Sequence, residues 1–197
     1  MQKHILACLA AVAISAHAAP LESEKALLQL DTVASGFNHP WGMTFLPDGS
    51  MLITERNGGL VKLSADGKNK TPITGLPEID ARGQGGLLDV ILAKDFSSSK
   101  QIYFSFSEPG EGGSSTAVAK AELAGDTLKN VSTLFSQQPK VDSRHHFGSR
   151  LVFDKAGNLF ITLGDRGSQR VEAQNLANHI GTVIRVTTEG AAAPGNP

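Results

Sequence analysis

One β-hairpin is written three times along this chain, and that repetition restricts the fold more than any compositional figure does. Met43 to Arg56 reads MTFLPDGSMLITER, a looser copy runs from Leu87 to Glu108 as LLDVILAKDFSSSKQIYFSFSE, and Arg144 to Arg166 reads RHHFGSRLVFDKAGNLFITLGDR. Aligning Thr54, Ser105 and Thr162 gives spacings of 51 and 57 residues, near the period at which internal repeats mean propeller blades or solenoid units. Only the last copy is preceded by paired histidines and ends on a Gly-Asp-Arg turn. Scaffold and decoration can therefore be told apart.

Short apolar runs between Gly, Pro, Asn and Asp, with no sustained 3.6-residue period, predict an all-β chain. The expected strands are Gln29–Ser35, Trp41–Phe45, Met51–Glu55, Gly59–Ser64, Asp89–Leu92, Gln101–Ser107, Thr116–Leu123, Lys129–Ser136, Leu151–Phe153, Leu159–Leu163 and Val183–Thr187, with one short helix near Glu172–Asn178. Turn signals such as Pro47-Asp48-Gly49 and Lys155-Ala156-Gly157 separate them, since glycine supplies the positive φ of tight hairpins. Four short strands per repeat of roughly 50 residues is a β-propeller blade rather than a sandwich. About three blades fit, whereas rings usually need at least four to leave no open strand edge. The chain is then a piece of a longer protein or pairs with another copy, and its open edges favour self-association.

The 18 Lys and Arg against 19 Asp and Glu leave no basic footprint for nucleic acid. Residues 1–18 read as a secretory signal peptide: a basic start, an apolar run from Ile5 to Ile14 and a small-residue exit at Ala16-His17-Ala18. That run is shorter than the roughly 20 residues of a membrane span, so no membrane insertion is expected. Cys8 falls inside it, which leaves residues 19–197 without thiol or disulfide chemistry. A periplasmic or secreted bacterial protein is expected.

Chemistry concentrates in three places. In Arg82-Gly83-Gln84-Gly85-Gly86 the glycines let backbone approach a ligand and Gln84 offers both a donor and an acceptor; the alternative is a blade-to-blade connection with Gln84 solvated. Of His145 and His146 only one can face a shared pocket, because neighbours on an extended segment point to opposite sides. General base chemistry suits that histidine better than zinc ligation, as no partner stands at zinc spacing. In Gly164-Asp165-Arg166-Gly167, Arg166 could clamp an anionic cofactor or a sugar hydroxyl, with Asp165 orienting it or fixing the turn. The alternative is a surface ion pair. Arg150 reads as structural, Trp41 as a core anchor and His179 as packing at the end of a strand connection.

Five ordered stretches, HPWGMTFLPDG, GQGGLLDV, HFGSRLVFD, LGDRG and AQNLANHIGTVIRV, resemble the soluble pyrroloquinoline quinone (PQQ)-dependent sugar dehydrogenases, in their periplasmic aldose sugar dehydrogenase branch. The resemblance covers about residues 30 to 197 and corresponds to the amino-terminal half of that family. It implies a six-bladed propeller with PQQ held over its mouth by calcium. It also implies oxidation of the anomeric C1 hydroxyl of an aldose to a lactone, with electrons passed to an external acceptor. By motif, His146 becomes the general base, Gln84 and Arg166 contact cofactor and substrate, and His145 contacts substrate. The calcium ligands are expected beyond Pro197. Some relatives carry an acid in place of His145 and a glutamine in place of Arg166, so the preferred aldose stays open. A propeller-derived sugar-binding or scaffold domain that has lost catalysis is the alternative.

Overall fold

The computed structural model describes residues 21–196; the expected signal peptide lies outside them. Two compact units divide the chain at Ser35 and Gly36. In the first, β1 (Leu21–Glu22) pairs antiparallel with β2 (Leu27–Leu28), and the Ser23 hydroxyl closes the turn by donating to the Ala26 carbonyl. The strand expected at Gln29–Ser35 does not form. The segment joins none of the four sheets, and an extended run outside a sheet is not held as a strand.

The second unit is three antiparallel sheets in chain order. Blade 1 contains β3 (Pro40–Phe45), β4 (Met51–Glu55), β5 (Gly59–Leu63) and β6 (Lys70–Ile73). Blade 2 contains β7 (Leu87–Leu92), β8 (Gln101–Gly110), β9 (Gly113–Ala124) and β10 (Thr127–Ser136), with the short helix α1 (Phe96–Ser99) in its first hairpin. Blade 3 contains β11 (Gly148–Phe153), β12 (Leu159–Leu163) and β13 (Val183–Val186). Each sheet is a meander, and the first strand of blade 2 lies between the first strands of blades 1 and 3. Three meander sheets in series are part of a propeller, as expected. The sequence reading missed β6, whose Pro72 and flanking Lys70 and Thr71 hide its alternation. The helix expected at Glu172–Asn178 is instead a 3-10 turn at Arg170–Gln174. Asn175 and Asn178 both donate to the Glu172 carboxylate, a local alternative to helix continuation.

Strand β8 explains why the blades stack. Its side chains alternate between two cores, as a period of two requires. Ile102, Phe104 and Phe106 join Leu46, Leu52, Leu60 and Ile73 of blade 1 in one cluster. Tyr103, pointing the other way, joins Leu151, Leu159, Ile161 and Val186 of blade 3 in another. Each fully buried aromatic or aliphatic side chain here is worth about 1.5–3 kcal/mol over exposure.

The 51- and 57-residue spacings also acquire a physical meaning. Each inner strand carries a bulge, two residues against one: Trp41-Gly42 opposite Thr54, Leu88-Asp89 opposite Ser105, and Ser149-Arg150 opposite Thr162. The hydroxyl on the facing strand accepts the second bulge N–H in every blade, from Gly42 (2.8 Å), Asp89 (2.9 Å) and Arg150 (2.9 Å). Thr54 and Ser105 then donate their protons to the next blade's bulge, at the Leu88 and Ser149 carbonyls. One side chain thus closes its own bulge and fastens the neighbouring blade. Gly42 is glycine because a Cβ there would stand 2.8 Å from the Leu88 carbonyl oxygen. Between blades 2 and 3 buried Asp89 adds a second tie, accepting from Leu151 N (2.9 Å) and Arg150 Nη1 (3.1 Å).

Candidate functional site

The bulges stand near the entrance ends of the inner strands, and there a cavity of about 430 Å³ opens, lined by Trp41, Arg56, Gln84, Leu88, His146, Phe147 and Gly148. Three blades contribute to it, because the loops entering β7 and β11 cross the same end. A hollow of similar size beside Leu176, His179 and Arg185 brings no acid–base pair together.

His146 is the chemically distinctive wall residue. Its backbone is left-handed, φ 51°, a conformation that costs a non-glycine residue energy and persists only where surroundings hold it. Four contacts do so. Its N–H donates to Gln84 Oε1 at 2.9 Å. Its carbonyl accepts the Arg166 N–H at 3.2 Å and abuts Gly164, where a Cβ would lie only 1.8 Å from the oxygen. Its ring Nδ1 stands 2.8 Å from Asp165 Oδ1.

Asp165 is held below the usual carboxylate range, first by the Gly167 N–H at 2.7 Å and then by His146. An ionised Asp165 only accepts, so the proton of neutral His146 sits on Nδ1 and the Nε2 lone pair is left exposed. With the side chain 60% exposed, Nε2 can receive a proton from a ligand hydroxyl. The orienting carboxylate, the fixed tautomer and the open nitrogen are the parts of a general base.

Arg166 corrects the sequence reading. Its side chain is fully buried and absent from the cavity wall. Nε donates to the His145 carbonyl (3.1 Å), Nη1 to Ser114 (2.9 Å) and Nη2 to Ser143, while the guanidinium lies 3.6 Å over the Phe147 ring. Burial lowers its pKa to about 10, with Asp80 opposing the shift; it remains a cation at neutral pH. It braces the loop that carries His146 rather than meeting a ligand. His145 also lies outside the lining, exposed beside Gly167, because the turn at His146 sends the two rings apart. Asp165 fixes His146 and the turn, not Arg166.

Gln84 does line the cavity. Trp41 is half-buried in the wall instead of anchoring a core, with the Arg150 guanidinium 4.2 Å above its ring. Arg150 is structural, tied to Asp89. His179 packs against Phe135 and exchanges hydrogen bonds with the Gln138 backbone. Arg56 was missed: it bonds the Gly83 carbonyl and reaches the same wall. The signal lay in the repeat, since ITER and ITLGDR end corresponding hairpins, those of blades 1 and 3. The glycine-rich loop is shaped by close approach, as a Cβ on Gly86 would fall 1.6 Å from the Arg56 carbonyl oxygen.

This fold and site have relatives. Aldose sugar dehydrogenase YliI of Escherichia coli (strain K12) is 43% identical over 176 residues, which cover 87% of this chain and 47% of that protein. Quinoprotein glucose dehydrogenase B of Acinetobacter calcoaceticus is 26% identical over 239 residues, 100% of this chain and 50% of that one. The apo crystal structure of the E. coli soluble aldose sugar dehydrogenase superposes with a TM-score of 0.80 at 42% identity, over 85% of this chain and 49% of the other. The PQQ-bound aldose sugar dehydrogenase of Streptomyces coelicolor gives 0.75 at 29%, over 85% and 50%. The chain thus spans about half the length of the curated relatives it matches. Residues 37–197 fit the model of one family, and with the half-propeller and its decorated third hairpin they establish that the chain belongs to the glucose/sorbosone dehydrogenase family.

Proposed function

We propose that the cavity is the sugar-oxidising site of a periplasmic PQQ-dependent aldose dehydrogenase, in which His146 is the general base. The observation that carries this is the Asp165–His146 pair, 2.8 Å apart, with its free Nε2 in a cavity shared by three blades. His146 takes the proton of the anomeric hydroxyl as the C1–H bond breaks, and Asp165 stabilises the imidazolium that results. Bound PQQ supplies the acceptor for the hydride from C1, turning the aldose into a lactone. The cavity fits such a group, because Gln84 and Arg56 offer N–H donors to oxygens and Trp41 adds an aromatic wall. Arg166 keeps the base in place from behind.

We assign calcium, and the remaining grip on PQQ, to blades supplied by the other half of the ring. Residues 1–18 are read as the leader that carries the protein out of the cytoplasm, and an external acceptor takes the electrons.

The test is dye reduction by aldoses after reconstitution with PQQ and calcium. His146→Asn is expected to abolish turnover. Asp165→Asn, which keeps the shape but not the tautomer, should lower kcat about 10²- to 10⁴-fold. Turnover untouched by His146→Asn would remove the base assignment.

A further inference from the structure

We propose that Gln84 is a positioning residue for His146, and that this duty turns its amide oxygen to the base and leaves its NH₂ group as the donor for a ligand. The inference rests on the reading of His146 as the base.

The residue brackets the segment that holds the base from both sides. Its backbone N–H donates to the Arg144 carbonyl at 2.8 Å, and its side-chain carbonyl accepts the His146 N–H at 2.9 Å. Two hydrogen bonds thus span the peptides on either side of His145, tying the loop that enters blade 2 to the loop that enters blade 3. The fit is close: Gly83, itself at φ 60°, would place a Cβ 2.5 Å from the Arg144 Cβ. Only glycine lets the two loops meet.

This clip holds a conformation that is costly by itself. At φ 51° the His146 backbone needs external support. Its other holds come from Gly164, Asp165 and Arg166, consecutive residues at the end of blade 3's own hairpin. Gln84 is the hold that comes from the loop entering blade 2. It ties the position of Nε2 to the wall built by Arg56, Trp41 and Leu88, against which a ligand would lie.

The orientation of the amide follows from elementary donor accounting. A backbone N–H can only donate, so the atom facing His146 N is Oε1. The remaining polar end of Gln84 is then its NH₂ group. Toward a ligand, His146 Nε2 is an acceptor while Gln84 and Arg56 are donors. That pattern suits a hydroxyl that gives its proton to His146 beside an oxygen that only accepts. In a cyclic aldose these are the anomeric hydroxyl and the neighbouring ring oxygen.

Two substitutions separate the duties. Gln84→Glu keeps an acceptor for the His146 N–H but replaces the cavity donor with an oxygen anion; Gln84→Met keeps the length and removes both. The first readout needs no cofactor: residue-resolved amide hydrogen exchange of His146. It is expected to stay slow in Gln84→Glu and to speed up about tenfold or more in Gln84→Met. The second is steady-state kinetics of the reconstituted protein. Gln84→Met should lose about 10²-fold in kcat, the scale of a misplaced catalytic group. Gln84→Glu should lose clearly less kcat than Gln84→Met and raise KM about tenfold or more. Equal rises in KM with unchanged His146 exchange would make Gln84 a ligand contact only and overturn the proposal. Absence of aldose turnover in the parent protein would sink the functional reading instead, and the exchange measurement would still decide the positioning role.

Discussion

Among the described residues blade 2 has a neighbour on each side, whereas blades 1 and 3 each have one, and their inner strands record the difference residue by residue. The first residue after the bulge is Val90 in blade 2, 0% exposed and packed toward blade 1; its counterpart in blade 1, Met43, is 52% exposed. One residue further, Ile91 packs toward blade 3, while its counterpart Val152 in blade 3 is 61% exposed. Similar strands with similar bulges are thus buried on two faces or on one according to their place in the series. Among the described residues, burial follows the neighbours a blade has, which no single repeat encodes.

The largest test of that contrast compares cores with flanks. Phe104→Ala, in the cluster shared by blades 1 and 2, is expected to cost about 3–5 kcal/mol, and Val152→Ala less than about 0.5 kcal/mol where no further blade packs on it, by urea denaturation. Equal losses would mean that Val152 is covered in solution and the contrast is false. A smaller effect separates the bulge hydroxyls. Ser105→Ala strands both the Asp89 N–H and the Ser149 carbonyl, at about 2 kcal/mol. Thr162→Val strands the Arg150 N–H alone and should cost under about 1 kcal/mol.

The smallest effect is one of pH. Burial lowers the pKa of His179 in blade 3, so the unfolded chain binds its proton more readily than the folded one. Stability from this group is complete above the unfolded value of about 6.5 and declines as pH falls through it toward the lower folded pKa. Protection of the amides near Ile180, taken relative to the intrinsic exchange rate at each pH, should therefore fall between pH 7 and 5 more than protection in β8. A uniform change across both blades would remove the localisation.

The sequence disclosed much of this because a hairpin carries its own signals. Met51–Glu55 and Leu159–Leu163 form over the residues expected, since alternation and a glycine turn specify a strand locally. Thr54, Ser105 and Thr162 were visible as a period, but their role as fasteners depends on a bulge in a strand that precedes them by several residues. Arg166 shows the limit most clearly. An arginine beside a Gly-Asp turn reads as a ligand clamp, yet the carbonyls of Ser143 and His145 on one loop and of Ser114 on another strand converge to bury it, and such convergence has no local signature. His145 and His146 were identical as letters, and one left-handed backbone turn decided which ring meets the cavity. Gln84 was flagged by its glycines; its partner, the His146 N–H, lies 62 residues away.

The bulge hydroxyls also bear on how such a ring can arise and change. A blade that fastens its successor through a main-chain carbonyl asks nothing of the successor's side chains at that point, because every peptide unit carries the same acceptor. Copies produced by gene duplication would therefore fit one another from the first generation. Their cavity-facing residues would be free to diverge separately, as the bare first hairpin and the histidine-bearing third have done. What is inherited between blades is a joint, and chemistry is added beside it.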